Sequence, residues 1–235
     1  MRDDPRMDTP LTRRARLGGL ARTLRRSPSL GLLVAQATAL LLYPFAVGSR
    51  AGHLFATLLS VGVLAMAVRM VRRSPRDAWL AGMFAVLGVA LWQVHVSHHS
   101  VAVGVAGALF YAAAYFYSAA ALIGYMLQDD RTTADEMWAA AATFMLFVEG
   151  YAWLFMALQI VQPGALVIPG AEDEPLRKWM ELVFISGTNF SNTGLSDIVP
   201  HSPHARMLVL LEQWNGLMYL ALVVARLAGF LKHPR

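Results

Sequence analysis

A polar, glycine-containing turn near the carboxyl end of the chain has the residue types and spacing best suited to chemistry. It spans residues 192–197 and follows a semi-apolar piece, 179–188. That piece is too short to cross a bilayer, since a spanning helix needs about 20 mostly apolar residues. Non-helical backbone survives at membrane depth only where protein buries it or water lines it. A re-entrant helix and loop here would indicate a pore or a cavity.

A single carboxylate, Glu149, lies deep within the apolar stretch 137–161. An ionisable residue inside a membrane segment is a functional candidate that should face protein or water. We expect its partner to be an amide of the short 179–188 piece or a polar residue such as Asn215. A protonated residue with only a packing role is the equal alternative.

Histidines form two groups with possible chemistry. His201 and His204 follow the polar turn, and an unperturbed histidine titrates near pH 6.5. These two residues could therefore form a proton- or zinc-sensitive site, and the alternative is that they are ordinary surface histidines.

His95, His98 and His99 spell H-x-x-H-H, which resembles one histidine box of membrane desaturases and hydroxylases. Those enzymes use several boxes to hold two irons, and the other histidines form no second box. A metalloenzyme is therefore disfavoured.

Composition places these residues in an all-α integral membrane protein. The chain has 235 residues, of which 57% are hydrophobic and 15% charged, against about 25% charged in soluble domains. The net charge of +5 comes from short flanks between apolar runs, a pattern typical of topology signals rather than of nucleic-acid binding. The chain contains no cysteine, which excludes disulfides and thiolate metal sites. No cofactor is expected, and we predict that the protein is not an enzyme.

Six apolar stretches are predicted to span the membrane. They are residues 30–47, 53–70, 78–96, 101–127, 137–161 and 207–231. With the amino terminus in the cytoplasm, 16 of the 20 Lys and Arg residues fall on the inner side, as the positive-inside rule requires. We therefore predict a multi-pass protein of the inner (plasma) membrane, with both termini cytoplasmic.

The predicted spans divide the chain into three parts. Residues 1–27 form a basic amphipathic tail on the inner leaflet. Residues 28–128 form a four-helix bundle whose last span carries no Lys or Arg, which excludes strong voltage sensing, since that needs several charges crossing the field. Residues 129–235 carry the polar turn.

The sequence from Asp135 or Trp179 to Phe230, within residues 129–235, resembles the pore domain of the tetrameric potassium-channel superfamily, particularly small bacterial six-span members. The shared order is an outer helix, a short pore helix, a filter, an Asp-Ile-x-Pro exit and an inner helix with a central glycine. The family's filter, Thr-Val-Gly-Tyr-Gly-Asp, matches Asn192, Thr193, Gly194, Leu195, Ser196 and Asp197. The single glycine also resembles the filters of Trk and Ktr-type potassium transporters.

This resemblance implies a homotetramer in a lipid bilayer that conducts monovalent cations passively, with oxygens of Thr193 and Gly194 replacing the water of the ion. K⁺ is the expected ion, and whether Na⁺ also passes is left open by the atypical filter. Leu195 replaces the tyrosine that braces the family's filter. Ser196 replaces its second glycine, and a left-handed backbone there would cost roughly 1–2 kcal/mol per subunit. A non-conducting or regulatory subunit is the alternative function.

Three residues are candidates for gating: Glu149 of the fifth predicted span, and Gly216 and Arg226 of the last one. Gly216 matches the family's hinge glycine, although close helix packing is an equally good reason for it. Arg226, near the inner end, is expected either to snorkel to the membrane interface or to pair with Asp129, Asp130 or Glu136.

Overall fold

A computed structural model describes residues 27–46, 61–67, 75–128, 133–170 and 176–232 of the chain. The helices are α1 (Pro28–Ala46), α2 (Pro75–His98), α3 (Val101–Met126), α4 (Ala134–Val161), α5 (Trp179–Phe190) and α6 (Pro203–Lys232). Residues 61–67 are also helical. Two short strands, β1 (Leu166–Val167) and β2 (Val199–Pro200), pair antiparallel with Leu166 opposite Pro200.

Five of these helices are long and apolar enough to cross a membrane. The apolar stretches are Pro28–Phe45, Trp79–His98, Val101–Met126, Ala134–Val161 and Pro203–Ala228. They coincide with five of the six predicted spans, and the chain is therefore a helical multi-pass membrane protein. The remaining predicted span, 53–70, lies outside the described residues except for 61–67. The predicted amphipathic tail lies outside them except for Ser27.

Local sequence accounts for most of the helix starts. Proline begins α1, α2 and α6, at the first helical position, where the missing N–H has no helical partner in any case. Thr133 precedes α4, and its hydroxyl accepts a hydrogen bond from the Glu136 N–H at 3.4 Å. The α2–α3 connection is tight because His99 takes a left-handed φ of 54° directly after α2.

Helix α4 is the centre of the fold, since α1, α3, α5 and α6 all pack against it. One hydrophobic cluster contains residues of every one of these helices, from Leu32 in α1 to Tyr219 in α6. The predicted boundary between residues 128 and 129 falls between α3 and α4, which share a large interface. Packing therefore continues across that boundary.

Polar contacts also join α1 and α3 to the start of α4. The Asp135 carboxylate accepts hydrogen bonds from the Ser29 N–H at 3.2 Å, the Ser29 hydroxyl at 2.9 Å and the Tyr125 hydroxyl at 3.2 Å. These contacts fix α1 and α3 to the helix against which α5 packs.

Candidate functional site

The short helix α5 lies along α4 in the opposite direction. Its 12 residues extend about 18 Å at 1.5 Å per residue, less than the roughly 30 Å core of a bilayer. The Trp179 ring at its start lies 4.6 Å from that of Trp153, and the Phe190 ring at its end lies 5.1 Å from that of Phe147. Its carboxyl end is therefore beside an earlier part of α4 than its start.

The chain entering α5 is fixed by a buried glutamine of α4. The Gln159 side chain accepts a hydrogen bond from the Arg177 N–H at 2.7 Å and donates one to the Arg177 carbonyl at 3.0 Å. Gln159 and Arg177 are both buried. Because one side chain satisfies both backbone groups of Arg177, the start of α5 is set at a defined level along α4.

The carboxyl end of α5 is enclosed by aromatic rings. Phe190 is fully buried, and its neighbours are Phe144, Phe147, Tyr151 and Tyr219, with ring centroids 5.1–6.2 Å away. On the α6 side the backbone of Phe190 meets Gly216, where an added Cβ would overlap the Phe190 carbonyl oxygen and lie 2.8 Å from its carbon. These contacts favour the packing interpretation of Gly216.

The polar turn begins directly after Phe190 and contains two left-handed residues. Asn192 has φ 58° and Gly194 has φ 64°. The N–H groups of Thr193 and Gly194 both donate to the Thr188 carbonyl at 3.0 Å, and the Ser196 N–H donates to the Gly194 carbonyl at 3.0 Å. Among the described non-glycine residues only His99 and Asn192 have positive φ. The backbone penalty considered for Ser196 therefore does not arise there, and asparagine carries it at position 192.

Within the described part of the chain, the backbone carbonyls of Asn192, Thr193 and Leu195 accept no hydrogen bond. Asn192, Thr193, Gly194, Leu195 and Asp197 are exposed, and Ser196 is partly exposed. The Ser196 hydroxyl accepts a hydrogen bond from the Ile198 N–H at 3.0 Å. The turn thus presents free carbonyl oxygens at the surface of the isolated chain.

Side chains of α5 and α6 form polar contacts behind the turn. The Ser186 hydroxyl lies 2.5 Å from Glu212 Oε1 and 2.8 Å from the Val148 carbonyl. Gln213 Nε2 donates to Asn189 Oδ1 at 3.2 Å, and Asn192 Nδ2 donates to the Gln213 carbonyl at 3.2 Å.

Sequence reasoning missed Glu212. It is fully buried, and it lies well inside the predicted span 207–231. The criterion that selected Glu149, a carboxylate within an apolar stretch, would have selected Glu212 as well.

The structure gives Glu149 a different partner from the predicted ones. Its carboxyl group lies beside the Tyr115 hydroxyl of α3, and its Oε2 is buried without a hydrogen bond. Asn215 Nδ2 instead donates to the Tyr151 hydroxyl at 3.2 Å. The prediction that Glu149 contacts an α5 amide or Asn215 was therefore wrong, because Glu149 is directed toward α3.

Arg226 forms a salt bridge with Glu136, one of its three predicted partners, at 2.8 Å. The other two, Asp129 and Asp130, lie outside the described residues. The side chains of Arg226 and Glu136 are 21% and 7% exposed. Both residues line an apolar cavity of about 310 Å³ that is bounded by the end of α3, the start of α4 and the last turns of α6. The ion pair joins the carboxyl-terminal end of α6 to the start of α4, and its predicted role in gating remains a prediction.

We expect the Arg226→Leu and Glu136→Leu single variants each to lower the stability of the protein in detergent by about 1–3 kcal/mol. Each leaves the opposite charge beside an apolar cavity. The double variant should recover most of the loss, because leucines suit the cavity lining. A double-mutant cycle of unfolding free energies measures the coupling. Additive losses would contradict a stabilising role for this ion pair.

The histidines occupy two separate places. The His201 N–H donates to the Ala165 carbonyl at 2.9 Å, and His204 Nδ1 lies 3.1 Å from Gln162 Nε2. Both residues are exposed beside the β1–β2 pair, so proton or zinc sensing there stays a prediction. His95 Nδ1 lies 2.8 Å from the Ser100 carbonyl oxygen. Among the described residues no group of three or more His, Asp or Glu side chains could hold a metal ion.

Comparison with known proteins adds no relative: no protein-family model, no curated protein and no solved structure matches the chain.

Proposed function

We propose that the chain is one subunit of a homotetrameric cation channel that conducts K⁺, and Na⁺ as well, passively through residues 192–197. The observation that carries this proposal is the set of free carbonyl oxygens on Asn192, Thr193 and Leu195, exposed in a turn that Gly194 and Asn192 shape. Carbonyl rings of this kind replace the water shell of a permeating ion. Thr193 and Gly194 are the central ion ligands of the proposal; the Thr193 carbonyl is free, whereas the Gly194 carbonyl accepts the Ser196 N–H and would bind an ion through its second lone pair.

The short helix and its strands support a re-entrant arrangement. α5 follows α4 back from the level of Gln159 to that of Phe147. The chain then returns to β2, which pairs with β1 just beyond the end of α4. The chain therefore enters and leaves the segment of α5 and the polar turn at the same end of α4. The turn is next to the carboxyl end of α5, where the negative end of the helix dipole favours a cation.

In the proposed tetramer, further copies would pack against the exposed apolar face of α6, which would otherwise contact lipid. Its large exposed side chains repeat at helical spacing, and Phe184 of α5 is exposed as well. The members of this face are Met207, Leu210, Leu211, Trp214, Leu217 and Met218. One turn cannot surround an ion, so closed symmetry around the turn completes the proposed site. Asp197 in four copies would add negative charge beside the pathway and raise the local cation concentration.

A non-conducting or regulatory subunit is the second candidate. Leu195 is 75% exposed and stands where the potassium-channel pattern has tyrosine, and Ser196 stands where that pattern has glycine. In this alternative, the module serves assembly alone.

The orientation belongs to the proposal too. The distribution of Lys and Arg supports cytoplasmic termini in the inner (plasma) membrane. The resulting external face would carry the turn, His201 and His204.

Flux into proteoliposomes tests the proposal. We expect uptake of K⁺, slower or equal uptake of Na⁺, and exclusion of a large organic cation, from a protein that crosslinks as a tetramer. Reversal potentials in a planar bilayer under K⁺/Na⁺ gradients then give the selectivity. A tetramer without flux would favour the regulatory subunit, and a monomer or dimer would overturn both candidates.

A further inference from the structure

The turn lacks the tyrosine brace of the channel pattern, yet its backbone is tied to one point of α5. The Thr188 carbonyl accepts the N–H groups of both Thr193 and Gly194. The position of this part of α5 therefore fixes the position of the turn.

Glu212 holds that part of α5 from the α6 side. Its carboxyl group meets the Ser186 hydroxyl, two residues before Thr188, and both side chains are fully buried. The Ser186 hydroxyl also reaches the Val148 carbonyl of α4. Ser186 is thus the point at which α4, α5 and α6 meet through polar atoms.

Gln213, the next residue along α6, contacts both the last turn of helix α5 and the start of the polar turn. Its side chain donates to Asn189, and its carbonyl accepts from the Asn192 side chain. Asn192 is the left-handed residue that opens the turn. The Gln213 contacts therefore favour the backbone conformation that this position requires.

We propose that Glu212 and Gln213 form a brace that positions the turn from behind, Glu212 through Ser186 and Gln213 through Asn189 and Asn192. The inference depends on the proposed function only in regarding the turn as an ion filter. Both residues are positioning residues, since neither forms part of the turn itself. Every brace contact lies within one chain, so the brace needs no residue of a second subunit.

Hydrogen exchange of the peptide covering residues 191–198 tests the brace without requiring conduction. We compare Glu212→Gln, which keeps a hydrogen-bonding side chain of the same shape, with Glu212→Leu, which does not. In Glu212→Leu we expect the Thr193 and Gly194 amides to exchange at least about tenfold faster, since a buried hydrogen bond is lost. Glu212→Gln should stay within about threefold of the unmodified protein.

Two further variants keep the test decisive. Ser186→Ala removes only the hydroxyl group, so it is expected to fold and to accelerate exchange in the same direction. Glu149→Leu is the matched control, because it removes a carboxylate of α4 that pairs with α3 and should leave exchange of the 191–198 peptide unchanged. Unchanged exchange in both Glu212→Leu and Ser186→Ala would overturn the brace.

Reversal potentials add a functional readout. We expect the K⁺/Na⁺ permeability ratio of Glu212→Gln to match that of the unmodified protein and the ratio of Glu212→Leu to fall. An unmodified protein that does not conduct would defeat the proposed function, while the exchange result would still decide the brace. Conduction with identical ratios in Glu212→Leu and Glu212→Gln, together with unchanged exchange of the 191–198 peptide, would overturn the brace alone.

Discussion

Substitution of Gly194 by valine should abolish cation flux while leaving the tetramer intact. Gly194 has φ 64°, and an added Cβ would meet nothing within 4 Å, so the whole effect comes from the backbone. A left-handed conformation costs an L-residue roughly 1–2 kcal/mol, or roughly 4–8 kcal/mol over four subunits. Valine should therefore leave that conformation and draw the turn away from the Thr188 carbonyl. Gly194→Asp is expected to act in the same direction.

Gly164 offers a matched control for this prediction. It has φ 80°, and an added Cβ would likewise meet nothing within 4 Å, but it lies between α4 and β1 rather than in the turn. The Gly164→Val variant should lose about as much folding stability per subunit as Gly194→Val does, but its K⁺ flux should be unchanged. Crosslinking checks the tetramer, and proteoliposome uptake of K⁺ measures the flux. Full flux in Gly194→Val would show that ions do not pass through residues 192–197.

Substitution of Gly216 by alanine should strongly destabilise the protein. The added Cβ would collide with the backbone of Phe190, at 2.8 Å from the carbonyl carbon and 3.1 Å from Cα. No rotamer change relieves a clash with backbone atoms, so α5 and α6 must separate. We expect a loss of about 2–3 kcal/mol, at the upper end of the range for overpacking. Thermal unfolding of the purified protein in detergent measures the change.

The opposite sign is expected if Gly216 is only a flexible point in α6. Alanine is favoured over glycine in a helix interior by about 1 kcal/mol, so a hinge glycine without close neighbours would gain stability on this change. Gly187→Ala in α5 is the control, because its Cβ would meet only Val148 Cγ1 at 3.8 Å. We expect that control to be neutral or more stable. A more stable Gly216→Ala protein with altered channel opening would restore the hinge interpretation.

Much of the helical framework could be predicted from the sequence, because length and apolarity are local properties. Five predicted spans coincide with helices long enough to cross a membrane. Prolines at the starts of α1, α2 and α6 act through their own backbone geometry, and so they are readable without any tertiary information.

The partners of polar residues could not be predicted in the same way. Both Glu149 and Glu212 lie inside apolar stretches, and nothing local distinguishes a carboxylate that meets Tyr115 of α3 from one that meets Ser186 of α5. The Arg226–Glu136 pair was predictable because the predicted topology brings the inner ends of their helices to the same side of the membrane. Which of the three candidate carboxylates pairs with Arg226 could not be predicted from the sequence.

The sequence by itself determined that this protein is a bundle of membrane helices with one short helix and a polar turn near its carboxyl end. Tertiary structure decided what surrounds that turn: the rings around Phe190, the contact between Gly216 and the Phe190 backbone, and the side chains of Glu212 and Gln213 behind it. In water, an apolar stripe shows which face of a helix is buried. In lipid, both faces are apolar, so the rotation and depth of each helix follow from packing between helices.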